Sequence, residues 1–198
     1  MLKYLFTLLL LILTSTSFSQ VIEVKGDIFD ILYSETLEQP IRVRYKVLCD
    51  GTGMRNSRKG LYFYKNDSIH TSDNKDYYKN VWDKGHMAPA ADFNCDKKDL
   101  KETFSYLNCA LQHQDLNRRT WRYLEAHERN IATRYDVYVI IHIIFSENSK
   151  RLPTGATVPD AFKKTIYVDG EIYGVWYFEN KSIKDKNYNL YKQKWKTL

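Results

Sequence analysis

One stretch determines what the rest of the chain is expected to form: Trp-Asp-Lys-Gly-His-Met-Ala-Pro-Ala-Ala-Asp-Phe at residues 82–93. Its first half brings together an acid, a cation, a flexible glycine and the titratable imidazole of His86. We predict a strand over Tyr77–Trp82 before this cluster and a turn at Pro89 after it. So many chemically active groups are unusual in a purely structural turn, and the stretch therefore predicts a functional site.

The composition outside this stretch is typical of one globular domain with its own core. The chain has 198 residues, of which 43% are hydrophobic and 27% are charged. Lys and Arg exceed Asp and Glu by 30 to 24, which gives a net charge of +6. This excess favours a polyanionic partner such as nucleic acid, acidic polysaccharide or an anionic membrane, although charge alone describes association rather than activity.

The first residues are typical of an export signal. Lys3 precedes an apolar run from Leu5 to Leu13, and the small residues Ser17 and Ser19 suit signal peptidase. The apolar run is too short for a spanning helix, which needs roughly 20 residues. We predict a signal peptide at 1–19, cleaved after Ser19, and one secreted or periplasmic domain at 20–198 with no membrane attachment.

Three cysteines follow the predicted signal peptide, at Cys49, Cys95 and Cys109. In an oxidising compartment two of them can pair, and the sequence alone allows any of the three pairings. A zinc site would combine Cys95 and Cys109 with His86 or His113. No Cys-x-x-Cys or His-x-x-x-His spacing supports it, so zinc is the less favoured hypothesis.

Hydrophobic patterns predict several strands and a long helix. Ile41–Leu48 alternates apolar and basic residues, which is typical of a half-buried strand, and we interpret its basic side as a solvated face. The other predicted elements are an early strand or arm within Val21–Leu37, a strand at Val137–Phe145 buried on both faces apart from His142, a hairpin of Ala161–Val168 and Ile172–Phe178 turning at Asp169-Gly170, and a docked terminal strand or helix within Lys181–Leu198.

The helix is predicted over Asp115–Asn130, with Asp115 as its N-cap. Asn117, Trp121 and Glu125 are spaced at i, i+4 and i+8, so they lie along one side and can point toward the same neighbour. The alternative is that Trp121 packs in the core while the two polar residues are solvated. Upstream, the Gly-rich loop at 50–60 contains several cations, which either bind phosphate or are simply solvated.

These residues together carry a resemblance to a known family. The 82–93 stretch, followed by Thr-Phe-Ser-Tyr-Leu-Asn at 103–108, Gln112, Asn117, Trp121 and Leu124-Glu125, resembles the DNA/RNA non-specific endonucleases, whose active site is a ββα-metal (His-Me) finger. Val158-Pro159 with Phe162-Lys163-Lys164 resembles a later strand of that family. The resemblance covers most of residues 41–178 and implies an α+β fold with a central antiparallel β-sheet.

The resemblance also implies a mechanism on DNA and RNA substrates. His86 matches the general base of the family, and an imidazole can accept a proton from water near neutral pH. Asn117 matches the ligand of a single Mg²⁺, for which Mn²⁺ can substitute, and Glu125 matches the acid that holds this metal through water. The products would carry 5′-phosphate ends.

Three further residues complete the expected catalytic set. Asn108 matches a family asparagine that we assign to orienting His86 or the phosphate. Arg58 is the best match to an arginine that contacts phosphate, with Arg55 as its nearby competitor. Lys84 stands where the family usually has arginine, and a lysine lacks the planar fork that suits phosphate.

The departures from the family pattern motivate an alternative. Lys84 suggests a catalytically weakened nucleic-acid-binding protein on the same fold, although the joint presence of His86, Asn117 and Glu125 argues against it. Ile141-His-Ile-Ile144 replaces a usual Gly-Pro pair, which predicts a strand where the family has a turn. The C-terminus is short compared with many members, so substrate preference, homodimer formation and the existence of a protein inhibitor stay open.

Overall fold

The structure is a computed structural model that describes residues 21–194. The predicted signal peptide at 1–19 and the last residues of the predicted tail lie outside this range. Within it, no helix has the length and hydropathy needed to cross a membrane. The strands and helices are β1 (Val21–Lys25), β2 (Phe29–Ser34), β3 (Gln39–Lys46), β4 (Trp82–His86), α1 (Lys97–Glu102), β5 (Cys109–His113), α2 (Gln114–Leu116), α3 (Arg122–Ala132), β6 (Val137–Ile144), β7 (Ala161–Val168) and β8 (Glu171–Glu179).

The main sheet is antiparallel throughout, with the strand order β1-β2-β3-β6-β7-β8. Its β7–β8 hairpin turns at Asp169-Gly170, as predicted, because both residues adopt the positive φ angles of a tight two-residue turn. A separate two-stranded sheet is formed by β4 and β5. This architecture confirms the predicted α+β class with a central antiparallel sheet.

Strand β6 differs from its prediction on one point. The replacement of Gly-Pro by Ile141–Ile144 does continue the strand, as expected. The prediction that both faces are buried is wrong, because buried and accessible residues alternate along β6 and Tyr138 is 48% exposed. The accessible face also carries Arg44 and Lys46 of β3, which pair with Asp30 and Asp136 at the surface. The basic side of β3 is therefore solvated.

The other face of the sheet packs against the helical segment after β5. Trp121 is fully buried and its ring lies 5.5 Å from that of Phe162 and 5.7 Å from that of Phe178. Burial of such large apolar side chains contributes about 1.5–3 kcal/mol each to folding. The C-terminal segment docks on the same region, where Tyr191 contacts Phe178 at 5.1 Å. Helix and tail are thus fixed to one core.

The helix begins and continues differently from the prediction. Its N-cap is His113 rather than Asp115, since the ring Nδ1 of His113 accepts a hydrogen bond from the Asp115 amide. The run is also interrupted by a π-helical turn at Asn117–Trp121 between α2 and α3. π-helical turns are rare in proteins, and those that occur are often at functional sites. The wider turn redirects the side chains that follow it.

The three cysteines form one disulfide and leave one thiol. Cys49 and Cys95 are bonded, and Cys109 is free and buried. This pairing excludes the zinc set, because Cys95 is no longer available as a thiolate ligand. The disulfide joins the end of β3 to the segment before α1, and thereby anchors one end of the 50–60 loop.

Candidate active site

The motif at 82–86 is itself a strand, which corrects the prediction that the strand ends at Trp82. The register of β4 on β5 pairs Gly85 with Ala110 and His86 with Cys109. Gly85 suits this pairing, because a Cβ atom there would lie 2.6 Å from the Cβ atom of Gln112, which cannot move without its backbone. The predicted strand at Tyr77–Trp82 is instead a 3₁₀ turn that ends at Tyr77, followed by further turns.

His86 lies between two aromatic rings at the end of β4. Its ring centroid is 4.9 Å from that of Phe63 and 5.0 Å from that of Phe104. The Nε2 atom is buried and has no hydrogen-bond partner among the described residues. Burial, together with the positive charge of Arg58, lowers the pKa of His86 to about 3. The imidazole is therefore neutral at physiological pH, which is the form that can accept a proton.

Arg58 and Arg55 have different surroundings in the structure. The charge of Arg58 acts on His86, whereas Arg55 donates a hydrogen bond to the Gly51 carbonyl within its own loop. The guanidinium of Arg58 is exposed and makes no hydrogen bond to another described residue. Of the two candidates, Arg58 is therefore the one whose position favours contact with a phosphate next to His86.

Asn108 contacts backbone rather than the His86 ring. It is fully buried at the end of a 3₁₀ turn, just before β5 rather than on it. Its side-chain oxygen accepts from the Ala88 amide at 2.8 Å, and its nitrogen donates to the carbonyls of Ala88 and Thr103 at 2.8 and 3.0 Å. These bonds fix the backbone immediately after His86, and none of them reaches the His86 ring.

Asn117 lies at the first position of the π turn and is held by the motif strand. Its side-chain nitrogen donates to Asp83 at 2.9 Å. The same carboxylate accepts two hydrogen bonds from Arg118, at 2.8 and 2.6 Å. Asp83 therefore orients the amide of Asn117 and links the start of the helix to β4.

This orientation suits a magnesium ligand. With its nitrogen bound to Asp83, the Asn117 amide directs its oxygen away from that carboxylate, and no described residue donates to this oxygen. Mg²⁺ prefers oxygen ligands and keeps several waters, so one amide oxygen is a reasonable protein contribution. An outer carboxylate that fixes a ligand is also typical of metal sites. The residues present thus fit the metal that the sequence predicts.

Glu125 lies beyond the π turn on α3, above a buried cluster of charges. Burial raises the pKa of Glu125 to about 7, against the opposing effect of Lys164 and with a further rise from Glu128. Lys164 is fully buried, donates to Glu128 at 2.8 Å and lies 4.2 Å from the Trp121 ring centroid. Lys164 therefore compensates the negative charge of Glu128 close to Glu125, and its bond to Glu128 ties α3 to β7.

Lys84 occupies a cage of aromatic rings rather than open solvent. Its ammonium lies 5.3 Å from the Phe63 ring centroid, 5.8 Å from that of Tyr77 and 5.5 Å from that of Tyr106. It also donates a hydrogen bond to the side chain of Asn74. Because Phe63 in turn contacts His86, these contacts connect Lys84 to the candidate base indirectly.

The cage leads to a prediction for Lys84→Met. The variant loses the cation–π contacts and the hydrogen bond to Asn74, so we expect a loss of about 1–2 kcal/mol in the free energy of unfolding. Oligonucleotide affinity in EDTA should equal that of Lys101→Met, a control on the exposed side of α1. Unchanged stability with a selective loss of affinity would show instead that Lys84 contacts phosphate directly.

Several site residues could not be assigned from the sequence. Phe63 and Phe104 form the walls around His86, although they are far apart in the chain and are brought together by pairing of Tyr64 with Ser105. Asp83 was part of the motif, but its bond to Asn117 depends on the tertiary fold. Phe104 belongs to the 103–108 motif, but nothing local in the sequence places either ring beside His86.

The hairpin β4–β5 followed by the helix defines the ββα-metal (His-Me) finger class. A sequence model described as DNA/RNA non-specific endonuclease matches residues 14–198, which is most of the chain. The chain belongs to this family.

Individual relatives match shorter parts of the chain. Endonuclease G, mitochondrial, of Bos taurus is 33% identical over 93 residues, which are 45% of this chain and 31% of that protein. Nuclease EXOG, mitochondrial, of Danio rerio is 34% identical over 88 residues, 42% of this chain and 26% of that protein. The matched segments thus span less than a third of the length of these two relatives.

A solved structure shows the same fold over a larger range. It is a crystal structure of the EndoG/EndoGI complex, described as revealing the mechanism of EndoG inhibition. The similarity has a TM-score of 0.75 at 24% identity and covers 87% of this chain and 80% of that chain. This likeness confirms the α+β architecture with its central antiparallel sheet.

Proposed function

We propose that this protein is a metal-dependent endonuclease that hydrolyses phosphodiester bonds of DNA and RNA with little sequence preference. One observation carries the proposal. The Nε2 atom of His86 is buried without a hydrogen-bond partner among the described residues and is subject to the charge of Arg58, on the strand whose Asp83 holds Asn117. A base, a phosphate-binding cation and an oriented metal ligand are the parts that phosphodiester hydrolysis requires.

His86 is the proposed general base. Its neutral imidazole takes a proton from the attacking water, a role that typically contributes roughly 10²–10⁴-fold to the rate. Phe63 and Phe104 restrict the ring to one orientation. Asn108 keeps the backbone after His86 in place, and Lys84 supports the Phe63 wall from behind. Arg58 binds an oxygen of the phosphate and so places the phosphorus near the base.

Asn117 would hold Mg²⁺, or Mn²⁺ in its place, through its amide oxygen, and Glu125 would hold it through water. Held there, the ion would supply positive charge to the phosphate and to the departing 3′-oxygen, and the products would then carry 5′-phosphate ends. The contacts proposed for Arg58 and for the ion at Asn117 are to phosphate oxygens. Phosphate contacts carry no sequence information directly, which supports action on both DNA and RNA.

The raised pKa of Glu125 leads to a prediction about pH. A carboxyl with a pKa of about 7 is protonated below that pH, so kcat/KM should fall on the acid side near pH 7 when Mg²⁺ is scarce. A nearby cation favours the ionised carboxylate, so the fall should move to lower pH as Mg²⁺ is raised. We expect this in pH–rate profiles at several Mg²⁺ concentrations. An acid limb that stays at the same pH at every Mg²⁺ concentration would instead exclude Glu125 as the titrating group.

The test of the proposal uses covalently closed plasmid and a single-stranded RNA. The purified protein should cleave both with Mg²⁺ and neither with EDTA, and the ends of the products should accept ligation that requires 5′-phosphate. Binding without cleavage at any Mg²⁺ or Mn²⁺ concentration would support the alternative of a catalytically weakened nucleic-acid-binding protein, which the confinement of Lys84 in its cage motivates.

We also propose that the protein works outside the cytosol, secreted or in the periplasm. The Cys49–Cys95 disulfide supports this, because such bonds persist in oxidising compartments. Amino-terminal sequencing of exported protein should begin at Gln20. A chain that retains residues 1–19 in the cytosolic fraction would contradict the proposal.

A further inference from the structure

A basic pocket of about 330 Å³ lies along the helical segment that carries Asn117. We call it the helix pocket, and it is lined by Asp115, Arg118, Arg119, Arg122, Tyr123 and Lys186. It contains four cationic side chains and one carboxylate. No step of the proposed hydrolysis uses it.

Two of the charges in the helix pocket are already engaged. Arg118 forms its double hydrogen bond with Asp83, the residue that also holds Asn117. Asp115 accepts a hydrogen bond from the Ser182 hydroxyl at 2.6 Å. Arg118 therefore fixes one wall of the pocket directly next to the metal ligand.

The remaining cations are available to an anion. Arg119, Arg122 and Lys186 are exposed, and none forms an ion pair with a carboxylate in the part of the chain that the structure describes. Three cations that lack a carboxylate partner among the described residues, around one concave surface, create a positive potential that attracts a polyanion.

An aromatic ring lies between two of these cations. The Arg122 guanidinium is 5.5 Å from the Tyr123 ring centroid and the Lys186 ammonium is 5.8 Å from it. Arg122 and Lys186 also lower the pKa of the Tyr123 phenol. Tyr123 is half-buried. An accessible aromatic ring with flanking cations is the arrangement on which nucleic-acid bases stack while the adjacent phosphates are bound.

The pocket is built from two segments that are tied together. Lys186 belongs to the chain after β8. The residue before it, Asp185, accepts a hydrogen bond at its backbone carbonyl from the hydroxyl of Thr120. The bond from Ser182 to Asp115 provides a second tie between the same segments. Lys186 is thereby placed beside the helix by fixed backbone and not only by its own flexible side chain.

We propose that the helix pocket binds the substrate strand beyond the scissile phosphate. Arg119, Arg122 and Lys186 contact phosphate oxygens, and Tyr123 stacks on a base of the same strand. This inference rests on the proposed nuclease function and adds a second contact region to it, on the same helical segment as Asn117. It predicts that strands long enough to reach the pocket bind more tightly than short ones.

The test removes charge without reversing it. Arg122→Gln/Lys186→Gln is compared with Arg42→Gln/Lys163→Gln, which loses the same charge on the outer face of the main sheet. Binding of a fluorescent single strand of about 20 nucleotides is measured in EDTA at several salt concentrations. We expect roughly tenfold weaker binding for the pocket variant and a salt slope smaller by roughly 1.4, and little change for the control.

The aromatic contact is tested separately by Tyr123→Leu and Tyr123→Phe. Loss of stacking should weaken binding roughly tenfold in Tyr123→Leu, whereas Tyr123→Phe retains the ring and should bind like the parent protein. Cleavage of bis(p-nitrophenyl) phosphate, which is too short to reach the pocket, distinguishes the nuclease function from the proposed role of the helix pocket. Failure of the unmodified protein to cleave this diester and the oligonucleotide would defeat the nuclease function, while binding still reports on the pocket.

Equal loss of affinity in Arg122→Gln/Lys186→Gln and in the control Arg42→Gln/Lys163→Gln would overturn the inference, because it would show a general effect of net charge. An unchanged salt slope in the pocket variant would overturn it as well. A loss on the oligonucleotide that exceeds any loss on the small diester by about tenfold supports it.

Discussion

His86→Ala should lower kcat for plasmid and RNA cleavage by roughly 10²–10⁴-fold, because it removes the proposed proton acceptor. Affinity for an oligonucleotide in EDTA should change little, since the imidazole is held by aromatic rings and not by charged partners. The separation of a large loss in kcat from a small change in binding is the expected signature. Single-turnover cleavage and fluorescence anisotropy on the same preparation measure the two quantities.

The matched control for this experiment is His142→Ala. His142 lies on the accessible face of β6, where it pairs in register with Lys163. Its replacement should leave kcat at the level of the unmodified protein. Full activity of His86→Ala would contradict the assignment, and thermal unfolding of each variant shows whether the fold is retained.

Asn117→Ala is the second change with a large expected effect. It removes the amide oxygen that is proposed to hold Mg²⁺ and the hydrogen bond that the amide donates to Asp83. We expect the Mg²⁺ concentration for half-maximal activity to rise roughly 100-fold, the upper end of the loss that follows removal of a residue that only orients a ligand, with a fall in kcat at saturating metal. Mg²⁺ titrations of the cleavage rate measure both effects.

Asn130→Ala provides the control for Asn117→Ala, because it removes the same side chain from an exposed position of α3. Its Mg²⁺ requirement should equal that of the parent protein. Asp83→Asn should show a smaller shift in the same direction as Asn117→Ala, since it disturbs the ligand only through its orientation. An Mg²⁺ requirement that is unaffected by Asn117→Ala would remove this residue from the site.

Local sequence signals predicted the elements that local physics determines. The β7–β8 hairpin follows from Asp169-Gly170, which adopt positive φ at little cost, and β3 follows from its alternating pattern. The α+β class and the order of the motif residues came from the family resemblance. Local patterns were thus sufficient for the hairpin and for β3, whereas the fold class required the resemblance.

The rest depended on contacts between distant residues. Gly85 looks like a turn residue in the sequence, but it serves the close approach of β4 to Gln112 on β5. The burial of β6 was overestimated because the pattern does not show which face the helix covers. Likewise, the cage around Lys84 combines rings from three separate segments, which no local pattern encodes.

The most direct measurement of the central claim is a crystal structure of the protein soaked with Mn²⁺, analysed by anomalous scattering. The proposed site predicts a peak within coordination distance of the Asn117 side-chain oxygen, about 2.0–2.2 Å, with Glu125 connected to it through water. The same peak should disappear in Asn117→Ala. A strong peak bound by other residues, with density for water alone at Asn117, would contradict the site on which the proposed function depends.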